Sequence, residues 1–175
     1  MSDTSPPAQE PDVCSGAVST RPASTSDRDF LFELYASTRR EEMESWGWTA
    51  EQQTAFLRGQ FDARHACYAA SYPTAQESIL LDAGVPVGSI TVASSPGEIR
   101  LVDIALLPEH RNRGIGTLLV SRLIREALSS KAPLRLSVLR GNPAFRLYER
   151  LGFVATTTES MYIEMEHKGH AREPQ

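Results

Sequence analysis

Leu101-Val102-Asp103-Ile104-Ala105-Leu106-Leu107-Pro108-Glu109-His110-Arg111-Asn112-Arg113-Gly114-Ile115-Gly116-Thr117-Leu118-Leu119-Val120 decides the fold. Leu101 to Leu107 is nearly all apolar and stops at Pro108. That pattern suits a strand buried on both faces. From Ile115 the apolar residues recur at helical spacing, through Leu118, Leu119, Leu123 and Ala127. Between strand and helix lies a basic loop, Arg111-x-x-Gly114-x-Gly116. A glycine-rich turn feeding a helix presents unpaired N–H groups and the positive end of the dipole, a place that binds phosphate. Arginines there add charge-assisted donors.

Residue identities exclude two nucleotide readings. A P-loop needs Gly-Lys-Ser/Thr, and the chain has Gly116-Thr117-Leu118. A dinucleotide fingerprint needs a third glycine where Leu119 stands, and an acidic strand end where Lys131-Ala132-Pro133 follows. The stretch instead resembles the acyl-CoA loop of the GNAT N-acetyltransferase superfamily, Arg/Gln-x-x-Gly-x-Gly/Ala after a strand ending in proline.

A second motif lies downstream. Leu134 to Leu139 reads as a strand, so strand, helix and strand form a unit whose strands run parallel. Asn142-Pro143-Ala144-Phe145-Arg146-Leu147-Tyr148-Glu149-Arg150-Leu151-Gly152-Phe153 then carries a cap, an early proline and a terminating glycine. It resembles the second signature of the same superfamily. Before the loop, Ser78–Leu81 and Val85–Ala93 flank Asp82-Ala83-Gly84 as a hairpin, and Ser94-Ser95-Pro96-Gly97 turns into the central strand. Val154–Thr158 and Met161–Glu166 form a last hairpin.

The remaining sequence sets the frame. The 175 residues suffice for one domain with a sizeable core. Hydrophobic content of 41% and charged content of 23% are those of a globular protein. A net charge of −4 gives no basic field for nucleic acid. No apolar run approaches the ~18 residues of a membrane span. No secretory pattern opens the sequence. Cys14 and Cys67 make neither a disulfide framework nor a metal spacing. His65, His110, His167 and His170 form no ligand pattern, so no metal is expected. A cytoplasmic protein, monomer or homodimer, is the expectation. Residues 1–16 read as a disordered tail, 17–166 as the domain and 167–175 as a frayed end.

Val18–Pro22 reads as an edge strand because of Pro22. Ser26 with Asp29 is expected to cap a first helix with Phe30, Leu31, Leu34 and Tyr35 on one face. Thr49 with Gln52 caps a second, with Phe56, Leu57 and Phe61 inward. Trp46-Gly47-Trp48 between them reads as a plug in the core, or else as the lining of a cleft.

The resemblance implies an α/β fold: a mostly antiparallel, mixed sheet of six or seven strands, flanking helices, and two splayed central parallel strands. It implies acetyl-CoA as cosubstrate and transfer to a primary amine of a small molecule or protein, by direct attack in a ternary complex. Leu106 and Leu107 would lie along the pantetheine arm. Arg111, Asn112, Arg113, Gly114, Ile115, Gly116 and Thr117 would hold the pyrophosphate. Asn142 and Phe145 would touch the cofactor. Tyr148 stands where the family carries its tyrosine acid. Each has a plainer alternative: solvent-facing arginines, an N-cap at Asn142, a core aromatic at Tyr148. Some relatives carry a glutamate on the fifth strand, where this chain has Ser137. Asp103 is then the best carboxylate for a general base, expected on one face with Leu101 and Ala105. Pairing with Arg100 or Arg135 is its alternative role. Asp103 with Glu41, Glu42 and Glu44 suggests a cationic acceptor. A CoA-binding sensor without catalysis is the rival function.

Overall fold

The computed structural model describes residues 18–39, 43, 46–157 and 160–168. In order these form β1 (Ser19–Pro22), α1 (Arg28–Ser37), α2 (Ala50–Ser71), β2 (Ala75–Asp82), β3 (Val85–Ser95), β4 (Glu98–Leu106), α3 (Ile115–Ser130), β5 (Leu134–Leu139), α4 (Ala144–Arg150), β6 (Val154–Thr157) and β7 (Tyr162–His167). The seven strands make one sheet, ordered β1-β2-β3-β4-β5-β7-β6. Every neighbouring pair is antiparallel except β4 and β5. Strand β1 lies at the edge, where a proline costs no ladder bond. Glu41, Glu42, Glu44, Cys14 and the tail through residue 16 lie outside the described residues.

Local chemistry explains the joints. Ala83 (φ 48°) and Gly84 (φ 83°) both take left-handed conformations in the β2–β3 turn, matching the twist of a two-residue hairpin. Thr49 Oγ1 accepts from the Gln52 N–H and Gln52 Oε1 accepts from the Thr49 N–H, the expected reciprocal cap of α2. The cap before α1 lies two residues earlier than Ser26. Asp27 accepts from the Ser24 N–H and hydroxyl, both at 2.8 Å, and from Arg21. Asp27 can bridge β1 to this turn, whereas Asp29 has no such partner strand. Strand β7 runs through His167, which pairs with Leu134 and packs its ring on Phe153, so the ordered sheet passes the expected boundary at 166.

Two cores sandwich the sheet. Helices α3 and α4 cover one face, where Ile115, Leu119, Val120, Leu123 and Ala127 pack on Leu101, Leu134 and Leu136. Each buried Val, Leu or Ile among them contributes about 1.5–3 kcal/mol of transfer free energy. Helices α1 and α2 cover the other face, through Leu31, Phe32, Tyr35, Leu57 and Phe61. Over its 22 residues α2 buries only Leu57 and Phe61.

Two irregularities prepare the site. Thr91 pairs with Asp103 but Val92 pairs with Leu101, so Val102 is one residue extra on β4. This bulge corrects the expected alternation. Leu101 and Ile104 both reach the α3 core, while Asp103 and Ala105 turn toward α1 and α2. Strands β4 and β5 then pair only from Ile99↔Leu134 to Leu101↔Leu136. Beyond that they splay, as the fold expectation required.

Candidate functional site

The splay leaves one edge of β4 open. The Leu107 N–H donates to the Val87 carbonyl at 2.9 Å. An antiparallel ladder alternates its bonding direction, so Ile104 and Leu106 point their N–H and C=O groups toward the gap. The Leu107 N–H is thus spent on β3, and the N–H of Leu106 is the group left available at the strand end. Gly88 makes room for this strand end. A Cβ there would stand 2.3 Å from the Ala105 carbonyl oxygen.

The chain next makes a 3₁₀ turn, Pro108–His110, and enters α3 through Asn112 (φ 59°) and Gly114 (φ 80°). The first helical bond runs from the Leu118 N–H to the Gly114 carbonyl at 2.9 Å. The N–H groups of Ile115, Gly116 and Thr117 therefore project from the helix start without intrahelical acceptors. Ile115 is buried in the core, whereas Asn112, Arg113, Gly114 and Thr117 are exposed. Arg111 does something the sequence did not signal. Its Nε donates to the Leu106 carbonyl at 2.9 Å, tying the loop to the strand end.

Across the gap stands α4. Asn142 Oδ1 accepts from the Ala144 N–H at 2.9 Å, so its amide caps the helix start. Phe145 is half-buried against the α3 core. The Tyr148 ring is 5% exposed and packs edge-on against Phe153 at 5.7 Å. Its hydroxyl has no hydrogen-bond partner among the described residues and is not sealed from solvent. Burial, with the Asp103 charge adding to it, pushes the Tyr148 phenol up to about 12.

The opposite face of the gap holds Asp103, and its partner is a correction. Arg100 pairs with Glu98 and Glu164, and Arg135 pairs with Glu98 and Glu166. Asp103 is ion-paired instead with Arg64 of α2. Burial raises the Asp103 carboxyl above its ordinary value, against the opposing pull of Arg64. Arg64 Nε also donates to the Tyr68 hydroxyl at 3.1 Å. Next in sequence, His65 donates from Nδ1 to the Phe61 carbonyl at 3.0 Å and sets Nε2 3.5 Å from Glu77. The Glu77 contact raises the His65 pKa. These residues line a small cleft of about 30 Å³, between α1, α2 and the sheet. Sequence reading missed Arg64, His65, Tyr68 and Glu77. The only signal was the four-residue spacing of Arg64 and Tyr68, which shares a helix face with Phe61.

Ser137, on β5 just past the last β4 pair, donates to Glu164 directly opposite it on β7. A carboxylate thus approaches this position from the neighbouring strand. Trp46 and Trp48 overturn the core-plug reading. They stack edge-on with each other and with Phe56, at 5.1–5.8 Å, and are 45% and 39% exposed.

The sequence matches the model of the acetyltransferase (GNAT) family over residues 29–153. No match was found among curated protein sequences. Several solved structures share the fold. PaiA N-acetyltransferase from Thermoplasma acidophilum, in complex with coenzyme A, superposes with a TM-score of 0.65 at 19% identity, covering 87% of this chain and 99% of that one. A GCN5-related N-acetyltransferase from Rhodopseudomonas palustris gives 0.60 at 22% identity, covering 86% and 95%. YncA from Salmonella typhimurium, with its cofactor acetyl-CoA, gives 0.53 at 18% identity, covering 90% and 97%. With a family match spanning both motifs and a sheet that splays where the family's does, the chain belongs to the acetyltransferase (GNAT) family.

Proposed function

We propose that the protein moves the acetyl group of acetyl-CoA to a primary amine of a small molecule or protein, by direct attack in a ternary complex. The observation that carries this reading is the open β4 edge at Ile104 and Leu106, running straight into the unpaired N–H groups of α3. An extended diamide followed by a pyrophosphate matches that order of donors and acceptors. Gly116 supports it. A Cβ there would sit 3.5 Å from Leu147 Cδ2, an ordinary contact, so the fold itself does not require glycine. What a side chain would obstruct lies outside, where a phosphate approaches the helix start.

In this reading Gly114 to Thr117 hold the pyrophosphate, with Arg113 and Asn112 at its exposed side. Ile104 and Leu106 bond the pantetheine amides, and Asn142 and Phe145 flank the arm from α4. Acetyl-CoA, when bound, supplies a thioester whose carbonyl carbon is open to attack. A β4 N–H facing the gap donates to the carbonyl oxygen as negative charge gathers there. The amine enters from the α1–α2 side, toward Asp103. As the C–N bond forms and the C–S bond breaks, Asp103 accepts the proton leaving nitrogen.

Tyr148 donates a hydrogen bond to the sulfur. With a phenol at about 12 against a free thiol near ~8.5, complete proton transfer is uphill by about 5 kcal/mol. The phenol therefore lowers the barrier as a fixed donor and keeps its proton.

A thermal-shift titration with acetyl-CoA, CoA and NADH tests the site. A ligand at a hundred times its dissociation constant stabilises the fold by ~2.7 kcal/mol. Shifts with acetyl-CoA and CoA but not NADH, followed by thiol release when an amine pool is added, are the expected result. No shift with either acyl carrier refutes the site. Shifts without thiol release leave a CoA-binding module in its place.

A further inference from the structure

The cleft above Asp103 carries charge of both signs. Asp103 is already answered by Arg64, and Glu77 by His65. A simple ammonium brought to Asp103 would meet a guanidinium at similar range, and the repulsion offsets the attraction. Arg64 cannot easily be expelled. Its guanidinium lies 5.4 Å from the Tyr35 ring centre and 5.1 Å from that of Tyr68, and its Nε is bonded to the Tyr68 hydroxyl. Nη2 faces Asp103. Nη1 has no hydrogen-bond partner among the described residues.

The cleft floor repeats the theme. Ser89 is 3% exposed and Thr91 is 7% exposed, and both line this cleft. Neither hydroxyl has a side-chain hydrogen bond among the described residues, and neither is sealed from the cleft. Hydroxyls open to the cleft are free to bond to whatever enters it.

We propose that Arg64 and Asp103 form a paired site for the zwitterionic head of an amino-acid acceptor, with the Ser89 and Thr91 hydroxyls beneath it. The inference rests on the transferase reading and names its substrate class. The acceptor's ammonium docks against Asp103 and loses one proton to solvent. The neutral amine then attacks, and Asp103 takes the proton that leaves nitrogen as the C–N bond forms. The acceptor's carboxylate is held by the open Nη1 edge of Arg64. An ammonium and a carboxylate one carbon apart answer both members of the ion pair at once.

The experiment compares acceptors that differ only in the anion. Acetyl-CoA binding is first confirmed by thermal shift, which isolates a failure of the cofactor site. Thiol release is then measured with the common free amino acids, their carboxamides and the matching amines that lack the carboxyl group. The expected kcat/KM for the preferred amino acid exceeds that for its carboxamide by about tenfold to a hundredfold, the worth of a charged hydrogen bond. Arg64→Gln brings that ratio close to one, mainly through KM, and Arg64→Lys restores part of it. A ratio taken within one variant does not respond to loss of stability alone. Equal rates on acid and amide, turnover confined to amines without an anion, or no turnover of any amino acid by protein that binds acetyl-CoA would each overturn the proposal.

Discussion

Asp103 and Tyr148 belong to opposite faces of the sheet yet share one electrostatic environment. The Asp103 carboxylate adds to burial in raising the Tyr148 phenol. They can do so because the gap between β4 and β5 opens at Asp103, immediately after the bulge at Val102. A bulge in one strand and a splay between two therefore bring an acidic residue on the α1–α2 face within electrostatic reach of a phenol on the α3–α4 face.

Tyr148 should act as a neutral donor over the whole working range of pH. Tyr148→Phe should lower kcat by about tenfold or more while changing acetyl-CoA affinity little. The pH–rate profile of the unmodified protein should show no falling limb from Tyr148 below about pH 10, because its phenol titrates near 12. A falling limb near pH 9 that the phenylalanine variant removes would assign Tyr148 an ionising role instead.

Gly116→Ala should separate stability from binding. Alanine is favoured over glycine in a helix by about 0.5–1 kcal/mol, and its methyl has room beside Leu147. The melting temperature should stay level or rise by about 1–2 °C. Acetyl-CoA affinity should fall by about tenfold as the methyl meets the phosphates. Unchanged affinity, measured by calorimetry, would remove the pyrophosphate from this helix start.

His65 should tie α2 to the sheet most firmly in mild acid. Its folded pKa is raised, chiefly by the Glu77 contact. A raised basic group gives its full stabilisation below the unfolded value of ~6.5 and loses it as pH rises through the folded value. The melting-temperature gap between the unmodified protein and His65→Asn should be widest near pH 6 and close toward pH 9. A gap that widens with pH would mean that His65 is held neutral.

How far the sequence disclosed all this follows from which signals are local. The Arg111-to-Gly116 loop, the helix after it and β5 were legible because apolar spacing, two glycines and a following strand all lie within a short stretch. The Val102 bulge was not. No glycine or proline marks it, and simple alternation put Asp103 beside Leu101. Its true partner, Arg64, reaches it from a helix remote in sequence, so no spacing rule could have chosen Arg64 over Arg100. Trp46 and Trp48 misled for another reason. Large aromatic residues suggest burial, yet here they satisfy one another and Phe56 at the surface. Ser137 likewise hid a carboxylate, because Glu164 meets it across a strand pairing that only the sheet order reveals.

Gly88 should prove as necessary as the loop glycines, though no motif contains it. It pairs with Leu106, the residue whose backbone faces the gap. An added Cβ would lie 2.3 Å from the Ala105 carbonyl oxygen and 2.8 Å from Leu106 Cδ2. Leu106 could rotate aside, but the carbonyl belongs to the ladder and cannot move without shifting β4. Gly88→Ala should therefore destabilise the protein by about 1–3 kcal/mol, the usual cost of overpacking. It should also weaken acetyl-CoA binding at temperatures where the variant is still folded, because the displaced strand is the one proposed to meet the pantetheine arm. Denaturant titration and calorimetry at low temperature separate the two effects. Lost stability with intact affinity would show that the arm does not depend on the position of Leu106, and the open edge of β4 would no longer be its docking site.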